Sequence, residues 1–379
     1  MVNSTSEASV RRLRVLALEP YYGGSHQSYL DDWIARSRHQ FSTVTLPAHH
    51  WKWRMRHAGV TLAERVAALE PTEWDVIWCS SMLPLTDFLA LTPKLRSTPV
   101  VAYFHENQAA YPNLREDPRD VHFLFTQWTT TEAASEVWFN SHFNRDTFFA
   151  GLSELFRKVP DQKQAWDVER ARRKSKIVYP GVAVPDSLQP RPSALQPAKA
   201  PHILWLARWE HDKAPELFFE VLFTLSEQGL PFRLSVLGQQ YQQVPSIFPE
   251  AKVRLAKHIE HWGYANARSD YERILGEADI AVSTARHEFF GIAMIEAALA
   301  GCLPLVPNAL AYPEILADSA LYFDGSARDL THHLGKLLSS SAKNQPQQAQ
   351  ALAQKYGWNV RAEQTDHLLE QAARRSPFT

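Results

Sequence analysis

Short apolar runs alternate with longer amphipathic segments along the whole chain. Parallel strands joined by helices give this pattern, because such strands are buried on both faces while the helices bury only one. In the first half, six runs predict strands: Leu13–Leu18, Phe41–Leu46, Asp75–Cys79, Val100–Phe104, Glu136–Phe139 and Lys176–Tyr179. In the second half, six more follow: His202–Leu206, Phe232–Leu237, His258–Trp262, Asp279–Thr284, Leu303–Val306 and Ala320–Phe323. The fold class is therefore α/β, with two doubly wound units.

The strongest break in the pattern is a proline-rich stretch, residues 185–201. Five prolines among Ser, Gln and Ala disfavour both helix and sheet, so this stretch predicts an interdomain linker. We expect a Rossmann-like domain at 1–184, the linker at 185–201 and a second Rossmann-like domain at 202–379 that ends in closing helices. We also expect the two domains to face each other across a cleft, with the linker as part of a hinge.

Length and composition limit the number of domains and the kinds of partner and site that the chain can have. The chain has 379 residues, 45% of them hydrophobic, which is enough for two cores. A net charge of −1 excludes a global basic field, so contact with nucleic acid would need a local patch. Cys79 and Cys302 lie in apolar segments, which predicts buried thiols and neither a disulfide nor a cysteine metal site. The N-terminus lacks an apolar signal core, which favours a cytoplasmic location.

Two carboxylates, Glu288 and Glu296, flank Gly291 just after a predicted strand. A helix that begins near Gly291 would direct its N-terminal amides and both carboxylates toward one region. Such a helix end can hold a pyrophosphate, while the carboxylates accept hydrogen bonds from ribose and sugar hydroxyls. The pattern therefore indicates a nucleotide-sugar site.

Arg208 and Lys213 follow the first strand of the second half. Two cations at the carboxyl end of a strand can neutralise a leaving diphosphate. A solvated loop would contain the same residue types, but the pair of carboxylates predicted at the same sheet edge favours a functional role.

Two polar loops follow strands in the first half. Gly23, Gly24, Ser25 and His26 lie between a strand and a helix, where glycines let backbone approach a phosphate or simply make a tight turn. The three-glycine dinucleotide fingerprint is absent, which disfavours a nicotinamide or flavin cofactor. After the strand that ends at Phe104 come His105, Glu106, Asn107 and Gln108, which suit either hydroxyl binding or a capped loop.

Aromatic and cationic residues alternate from Trp51 to His57, with Trp53, Arg54 and Arg56 among them. This mixture is used to stack bases and hold backbone phosphates, although an amphipathic helix whose tryptophans pack inward would look similar. His49, His50 and His57 lie nearby without a zinc-binding spacing, and we predict no metal site.

Arg208, Lys213, Glu288 and Glu296 make the second half resemble the retaining glycosyltransferases of the GT-B fold. The donor site of that group has an Arg and Lys pair and two glutamates eight positions apart. The whole chain is most similar to the tRNA-queuosine alpha-mannosyltransferases. The similar stretches run from about residue 13 to residue 316 and comprise 19–26, 51–54, 103–108, 208–213, 261–264 and 283–291.

The resemblance implies transfer of mannose from GDP-mannose to queuosine in a tRNA anticodon, with retention and no metal requirement. GDP-mannose would be a co-substrate, and no cofactor is implied. Queuosine-containing tRNA, with tRNA-Asp as the candidate, would be the partner; no membrane and no obligate protein partner are indicated.

The resemblance also implies residue roles. Arg208, Lys213, Glu288 and His105 would be catalytic, with the two cations on the departing diphosphate, Glu288 on the sugar and His105 on the sugar or the acceptor. The groups that bind the donor would be Gly23, Gly24, Phe290, Gly291, Ile292 and Glu296, the last on the ribose. We expect the acceptor to contact Ser25, His26, Trp53, Arg54, Arg56, Glu106, Asn107 and Gln108.

Two other functions remain open from the residues alone. One is a GT-B transferase with another nucleotide sugar or with a glycan or lipid acceptor. The other is a noncatalytic module that binds tRNA or a nucleotide, which the four donor-site residues disfavour.

Overall fold

The structure is a computed structural model. It describes residues 11–70, 72–111, 120–161, 167–183, 200–240, 244–339 and 346–375. The predicted linker lies outside these ranges, apart from Ala200 and Pro201.

The described residues contain a strand at each of the twelve predicted positions. Six belong to the first sheet: β1 (Arg14–Tyr22), β2 (Gln40–Pro47), β3 (Val76–Ser80), β4 (Val100–Phe104), β5 (Glu136–Phe139) and β6 (Ser175–Ile177). Six belong to the second: β7 (His202–Leu206), β8 (Arg233–Leu237), β9 (Ile259–Gly263), β10 (Ile280–Val282), β11 (Leu303–Pro307) and β12 (Leu321–Phe323). The predicted α/β class is confirmed.

Helices connect the strands. In the first half they are α1 (Gly24–Ile34), α2 (Trp51–Ala67), α3 (Leu85–Leu91), α4 (Val121–Ala133), α5 (His142–Lys158) and α6 (Val168–Arg173). The second half has α7 (Pro215–Glu227), α8 (Ile247–Arg254), α9 (Arg268–Glu277), α10 (Ile292–Leu299), α11 (Tyr312–Leu316), α12 (Ala327–Ser339), α13 (Pro346–Gln354) and α14 (Trp358–Ala373). Across the described ranges, every helix is too short or too polar to cross a membrane.

Both sheets are parallel and six-stranded. The first has the order β2-β1-β3-β4-β5-β6 and the second β12-β11-β10-β7-β8-β9. The chain reverses its direction of winding between β1 and β3 in the first sheet and between β7 and β10 in the second. Ligands of open α/β sheets bind at the carboxyl ends of the strands beside such a switch point.

Apolar side chains on both faces of the sheets form the two cores. All five positions of β3, β4, β7 and β11 are buried. Trp78, Trp138 and Trp205 are among the largest fully buried side chains. Cys79 and Cys302 are free and buried, as their apolar segments predicted.

The chain divides into two compact units whose boundaries differ from the predicted domains at the C-terminus. Unit 1 comprises Met1–Asn140, Arg145–Tyr179 and Asn359–Thr379; unit 2 comprises Ser141–Asn144 and Pro180–Trp358. The sequence placed everything after residue 201 in the second domain. Most of α14 instead belongs to unit 1, because Asp366 on this helix accepts hydrogen bonds from the indole of Trp33 and the hydroxyl of Ser37, at 2.8 and 2.7 Å.

Candidate functional site

In unit 2, Lys213 lies at the centre of a charged cluster at the carboxyl end of β7. It is 8% exposed. Its Nζ donates to the carbonyl oxygen of His287 at 2.7 Å and lies 3.2 Å from Asp212 Oδ2 and 3.4 Å from Glu288 Oε2. Burial opposes the charge of this ammonium, but Glu288 and Asp212 outweigh burial and raise the pKa of Lys213. The cation is therefore retained and oriented without a substrate.

Glu288 joins this cluster to the start of α10. Its Oε1 accepts hydrogen bonds from the amides of Gly291 and Phe290, at 3.1 and 3.5 Å. Burial works against the carboxylate charge, yet Lys213, followed by His287 and the amide of Phe290, lowers the pKa of Glu288 overall. The helix begins at Ile292 with Gly291 as its N-cap, as the sequence predicted. Two of the amides expected to face a phosphate thus already bind Glu288.

Glu296 lies one turn into α10 and is held by two residues of α9. Its Oε1 accepts from the guanidinium of Arg268 at 3.2 Å, and its Oε2 accepts from the hydroxyl of Tyr271 at 2.5 Å. Burial, followed by the charge of Glu296, raises the pKa of Tyr271 well above its usual range, so the phenol stays a donor. Sequence reasoning missed Arg268 and Tyr271. Their placement at the start of the helix after β9, at the same sheet edge, was the available signal.

A pocket of about 430 Å³ opens at this edge of unit 2. Its walls are Leu206, Ala207, Arg208, Leu237, Gly238, Tyr264, Ala265, Asn266, Ala267, Arg268, Tyr271 and Ala293. Arg208 lies at one side, with its guanidinium 3.2 Å from Glu210 Oε2. Small-molecule sites range from about 300 to 1,000 Å³, so the pocket suits a group the size of a nucleoside.

In unit 1, the glycine pair lies between β1 and α1. Gly23 has extended backbone. A Cβ there would lie 2.5 Å from the Cβ of Ala48, so a larger residue at this position would clash. Gly24 has a φ of +54°. Ser25 is exposed, whereas His26 is buried. The imidazole of His26 stacks on that of His105, with ring centroids 4.0 Å apart.

The loop after β4 is partly structural. Asn107 is fully buried: its Oδ1 accepts from the amides of Ala109 and Ala110, and its Nδ2 donates to Thr147. The carbonyl oxygens of Glu106 and His105 accept from Ser81 and Asn140, and the amide of Gln108 donates to the side chain of Gln127. Asn107 therefore caps the loop, as one of the two interpretations of this stretch predicted. His105 instead contacts His26.

The aromatic and cationic stretch forms the first turns of α2. Trp53 is 62% exposed, and Arg56 is also exposed, with its guanidinium 5.3 Å from the ring centre of Phe123. Arg54, which the sequence also assigned to the acceptor, is not exposed. It is buried and donates to the carbonyl of Pro47 at 3.1 Å and to the ring nitrogens of His57 and His49. A guanidinium with three internal acceptors fixes the start of the helix.

Two family matches cover the two halves of the chain. Residues 14–182 match the family described as tRNA-queuosine alpha-mannosyltransferase N-terminal, and residues 189–356 match glycosyl transferases group 1. Among curated proteins, the tRNA-queuosine alpha-mannosyltransferase of Drosophila melanogaster is 34% identical over 330 residues, which cover 84% of this chain and 86% of that protein.

Solved structures similar to this chain share its architecture at low sequence identity. Sucrose-phosphate synthase from Thermosynechococcus elongatus superposes with a TM-score of 0.72 at 15% identity, covering 95% of this chain and 99% of that one. HepE from Anabaena, in complex with UDP and glucose, gives a TM-score of 0.66 at 15% identity, covering 95% and 100%. These likenesses show the GT-B fold. The Drosophila relative and the two family matches establish that the chain belongs to the tRNA-queuosine alpha-mannosyltransferase family of group 1 glycosyltransferases.

Proposed function

We propose that this mannosyltransferase moves mannose from GDP-mannose to queuosine in the anticodon of tRNA, with retention at the anomeric carbon. The observation that carries the proposal is the cluster of two cations and two carboxylates, Arg208, Lys213, Glu288 and Glu296, at the carboxyl edge of the second sheet in a chain of this family.

The leaving diphosphate is assigned to Arg208 and Lys213. Lys213 keeps its charge and its orientation through Glu288 and Asp212, so its field needs little reorganisation as negative charge develops on the phosphate. The amides of Phe290 and Gly291 already donate to Glu288, so they do not form a separate anion site. Together with the amide of Ile292 they contribute the positive field of a helix N-terminus.

The nucleoside is assigned to the pocket. Glu296 accepts hydrogen bonds from the ribose hydroxyls and is kept in place by Arg268 and Tyr271, which also line the pocket. Tyr264 is 62% exposed on the pocket wall and offers an aromatic face on which the base stacks.

Retention follows from a same-face reaction. The bond between the anomeric carbon and the GDP oxygen breaks, a hydroxyl of queuosine forms the new bond on the same face, and its proton passes to the leaving phosphate. Glu288 is a poor nucleophile because Lys213 and two amides stabilise its charge. Isolation of a covalent mannosyl-enzyme would refute this mechanism.

The exposed surface of Trp53 and Arg56 is assigned to the tRNA, with the aromatic ring for stacking and the guanidinium for phosphate. Ser25, Glu106 and Gln108 remain candidates for the acceptor, and His105 and the glycine pair remain candidates for contact with either substrate. Specificity for tRNA-Asp and a cytoplasmic location also remain predictions.

The function is tested by mass spectrometry of nucleosides digested from queuosine-containing tRNA after incubation with the protein and GDP-mannose. We expect a queuosine species heavier by one hexose, which the Lys213→Met and Glu288→Gln variants do not form. If GDP is released but queuosine is unmodified, the acceptor is a different molecule, such as a glycan or a lipid. If no GDP is released, the donor is a different nucleotide sugar or the protein is a noncatalytic binder.

The tRNA surface is tested by the double change Trp53→Ala and Arg56→Ala. We expect tRNA affinity to fall about tenfold or more, because one stacked base contributes roughly 1–3 kcal/mol. Affinity for GDP-mannose should stay the same. Arg54 is excluded because its loss would also disturb α2. Val60→Ala, at an exposed position of the same helix, is the control, and unchanged tRNA affinity in the double variant would contradict the assignment.

A further inference from the structure

Three metal-ligand atoms converge inside unit 1. They belong to Glu19 on β1, His26 on α1 and His105 after β4, and one ligand atom from each residue lies within 4.8 Å of the others. The sequence predicted no metal site, since it has no zinc-binding spacing. These three residues come from separate segments that the pairing of β1, β3 and β4 brings together.

Each of the three residues has a buried polar atom without a hydrogen-bond partner: Glu19 Oε2, His26 Nδ1 and His105 Nε2. Glu19 is fully buried, and His26 is 5% exposed. The other oxygen of Glu19, Oε1, accepts from the amide of Tyr21 and the hydroxyl of Ser80, both at 2.8 Å. The carboxylate is thus anchored through one oxygen, which leaves Oε2 beside His26. Buried polar atoms without hydrogen bonds are uncommon in folded proteins, and a bound water or ion is one physical explanation for them.

One pair of these atoms has the spacing of two ligands on one metal ion. His26 Nδ1 lies 3.3 Å from Glu19 Oε2, in an ion pair without hydrogen-bond geometry. Two ligands of a tetrahedral Zn²⁺ with bonds near 2.1 Å lie about 3.4 Å apart. Two tetrahedral partners of one water, each at about 2.8 Å, would lie roughly 4.6 Å apart.

The charges also suit a shared cation. The rings of His26 and His105 stack with centroids 4.0 Å apart, so two protonated imidazoles would repel each other. The carboxylate of Glu19 supplies a buried negative charge 3.3 Å from Nδ1 of His26, which would attract a cation. A proton on His26, paired with Glu19, is the competing occupant.

A second group of histidines in the described part of unit 1, His49 and His57, is a poorer match to a metal ion. His49 and His57 each direct a ring nitrogen at the guanidinium of Arg54, at 3.1 and 2.9 Å. Those nitrogens already accept hydrogen bonds, and the neighbouring positive charge would repel a metal ion.

We propose that Glu19, His26 and His105 bind a divalent transition-metal ion, with Zn²⁺ as the best match to one carboxylate and two imidazoles. Ser80 and the amide of Tyr21 hold the carboxylate of Glu19 in place through hydrogen bonds to its Oε1. The ion joins β1, the start of α1 and the loop after β4, so it stabilises this edge of the first sheet.

The proposal is tested on the full chain after dialysis against a chelator. Equilibrium dialysis against Zn²⁺, with metal content measured by inductively coupled plasma mass spectrometry, should give one bound ion per chain. Substitution with Co²⁺ should give the intense visible absorption of a tetrahedral site with nitrogen and oxygen ligands. The thermal unfolding temperature should rise with Zn²⁺.

Variants separate this site from adventitious binding. We expect Glu19→Gln, His26→Asn and His105→Asn each to weaken Zn²⁺ binding at least about 100-fold. Ser80→Ala should weaken it by about 10–100-fold, because the hydroxyl of Ser80 holds the other oxygen of Glu19. His39→Asn is the matched control, because His39 is also buried in unit 1, with its Nε2 3.6 Å from Glu370.

Two results would overturn the proposal. One is a wild-type chain that binds no stoichiometric ion, which would leave the proton on His26 as the occupant. The other is binding that persists in folded ligand variants, which would place the ion elsewhere. If one variant does not fold, the remaining variants and the Co²⁺ spectrum of the wild type still decide the question.

Discussion

At the residue scale, the proposed donor site is organised by the opposite effects of one cation on two neighbours. Lys213 stabilises the carboxylate of Glu288 and disfavours a proton on His287. Burial, followed by the charge of Lys213, lowers the pKa of His287 to about 4. His287 is 7% exposed and remains neutral at physiological pH, so the cluster has its positive charge on Lys213 and Arg208.

This arrangement predicts how stability depends on pH. The unfolded chain takes up a proton on His287 near pH 6.5, and the folded chain only near pH 4, so this residue lowers stability as the pH falls from 6.5 to 4. We expect His287→Asn to lose less stability over this interval, by at most about 3 kcal/mol. Denaturant unfolding of both proteins at several pH values measures the difference, and parallel pH profiles would contradict the prediction.

Two other residues show where residue type alone misleads. Arg54 and Asn107 belong to polar stretches typical of binding surfaces, and both face inward. Arg54 satisfies a carbonyl and two imidazoles, and Asn107 caps its own loop. A polar side chain near a sheet edge can serve the ligand or the backbone, and only its partners distinguish the two roles.

At the element scale, α10 depends on the backbone of Gly291. This residue has a φ of +92°, which places the chain in the left-handed region as it enters the helix. Tyr312 Cε1 would lie 3.0 Å from an added Cβ. The conformation directs the amide of Gly291 at Glu288 and thereby connects the start of the helix to the charged cluster.

We expect Gly291→Ala to destabilise the protein by about 1–3 kcal/mol, from backbone strain and from the contact with Tyr312. Affinity for GDP should fall as well, because Glu288 loses its alignment. Gly276→Ala on α9 is the control: its Cβ would have open space, and the change should raise stability by up to about 1 kcal/mol. Thermal unfolding and calorimetric GDP binding measure both effects, and equal stability of the two variants would disprove the role of Gly291.

At the scale of the whole molecule, the C-terminal helix returns to the first unit of the chain. Asp366 is 2% exposed and accepts from the side chains of Trp33 and Ser37 and from the amide of Arg38. The stability of unit 1 therefore depends on residues distant in sequence.

We expect Asp366→Ala to destabilise unit 1 by roughly 3–5 kcal/mol, because three hydrogen bonds to a buried carboxylate are lost. Glu363→Ala, at an exposed position of the same helix, should change stability by less than about 0.5 kcal/mol. Hydrogen exchange should accelerate in α1 and α14 and not in β7 or β8. Uniform acceleration throughout the chain would show that α14 does not belong to unit 1 alone.

The sequence by itself determined the elements and the start of the helix beside the proposed donor site. The twelve apolar runs predicted the strands, since a parallel strand buried on both faces needs consecutive apolar residues. The spacing of Glu288 and Glu296 around Gly291 predicted a helix that starts at the site, because helical periodicity links residues close in sequence.

Only the tertiary structure decided which distant groups meet. The docking of α14 on unit 1, the support of Glu296 by Arg268 and Tyr271, and the convergence of Glu19, His26 and His105 all join separate segments. Strand order and helix packing set these contacts, and neither leaves a local pattern in the sequence. Local periodicity therefore predicts helices and strands. Long-range packing decides which side chains contact each other, because burial and hydrogen bonding are properties of the folded chain.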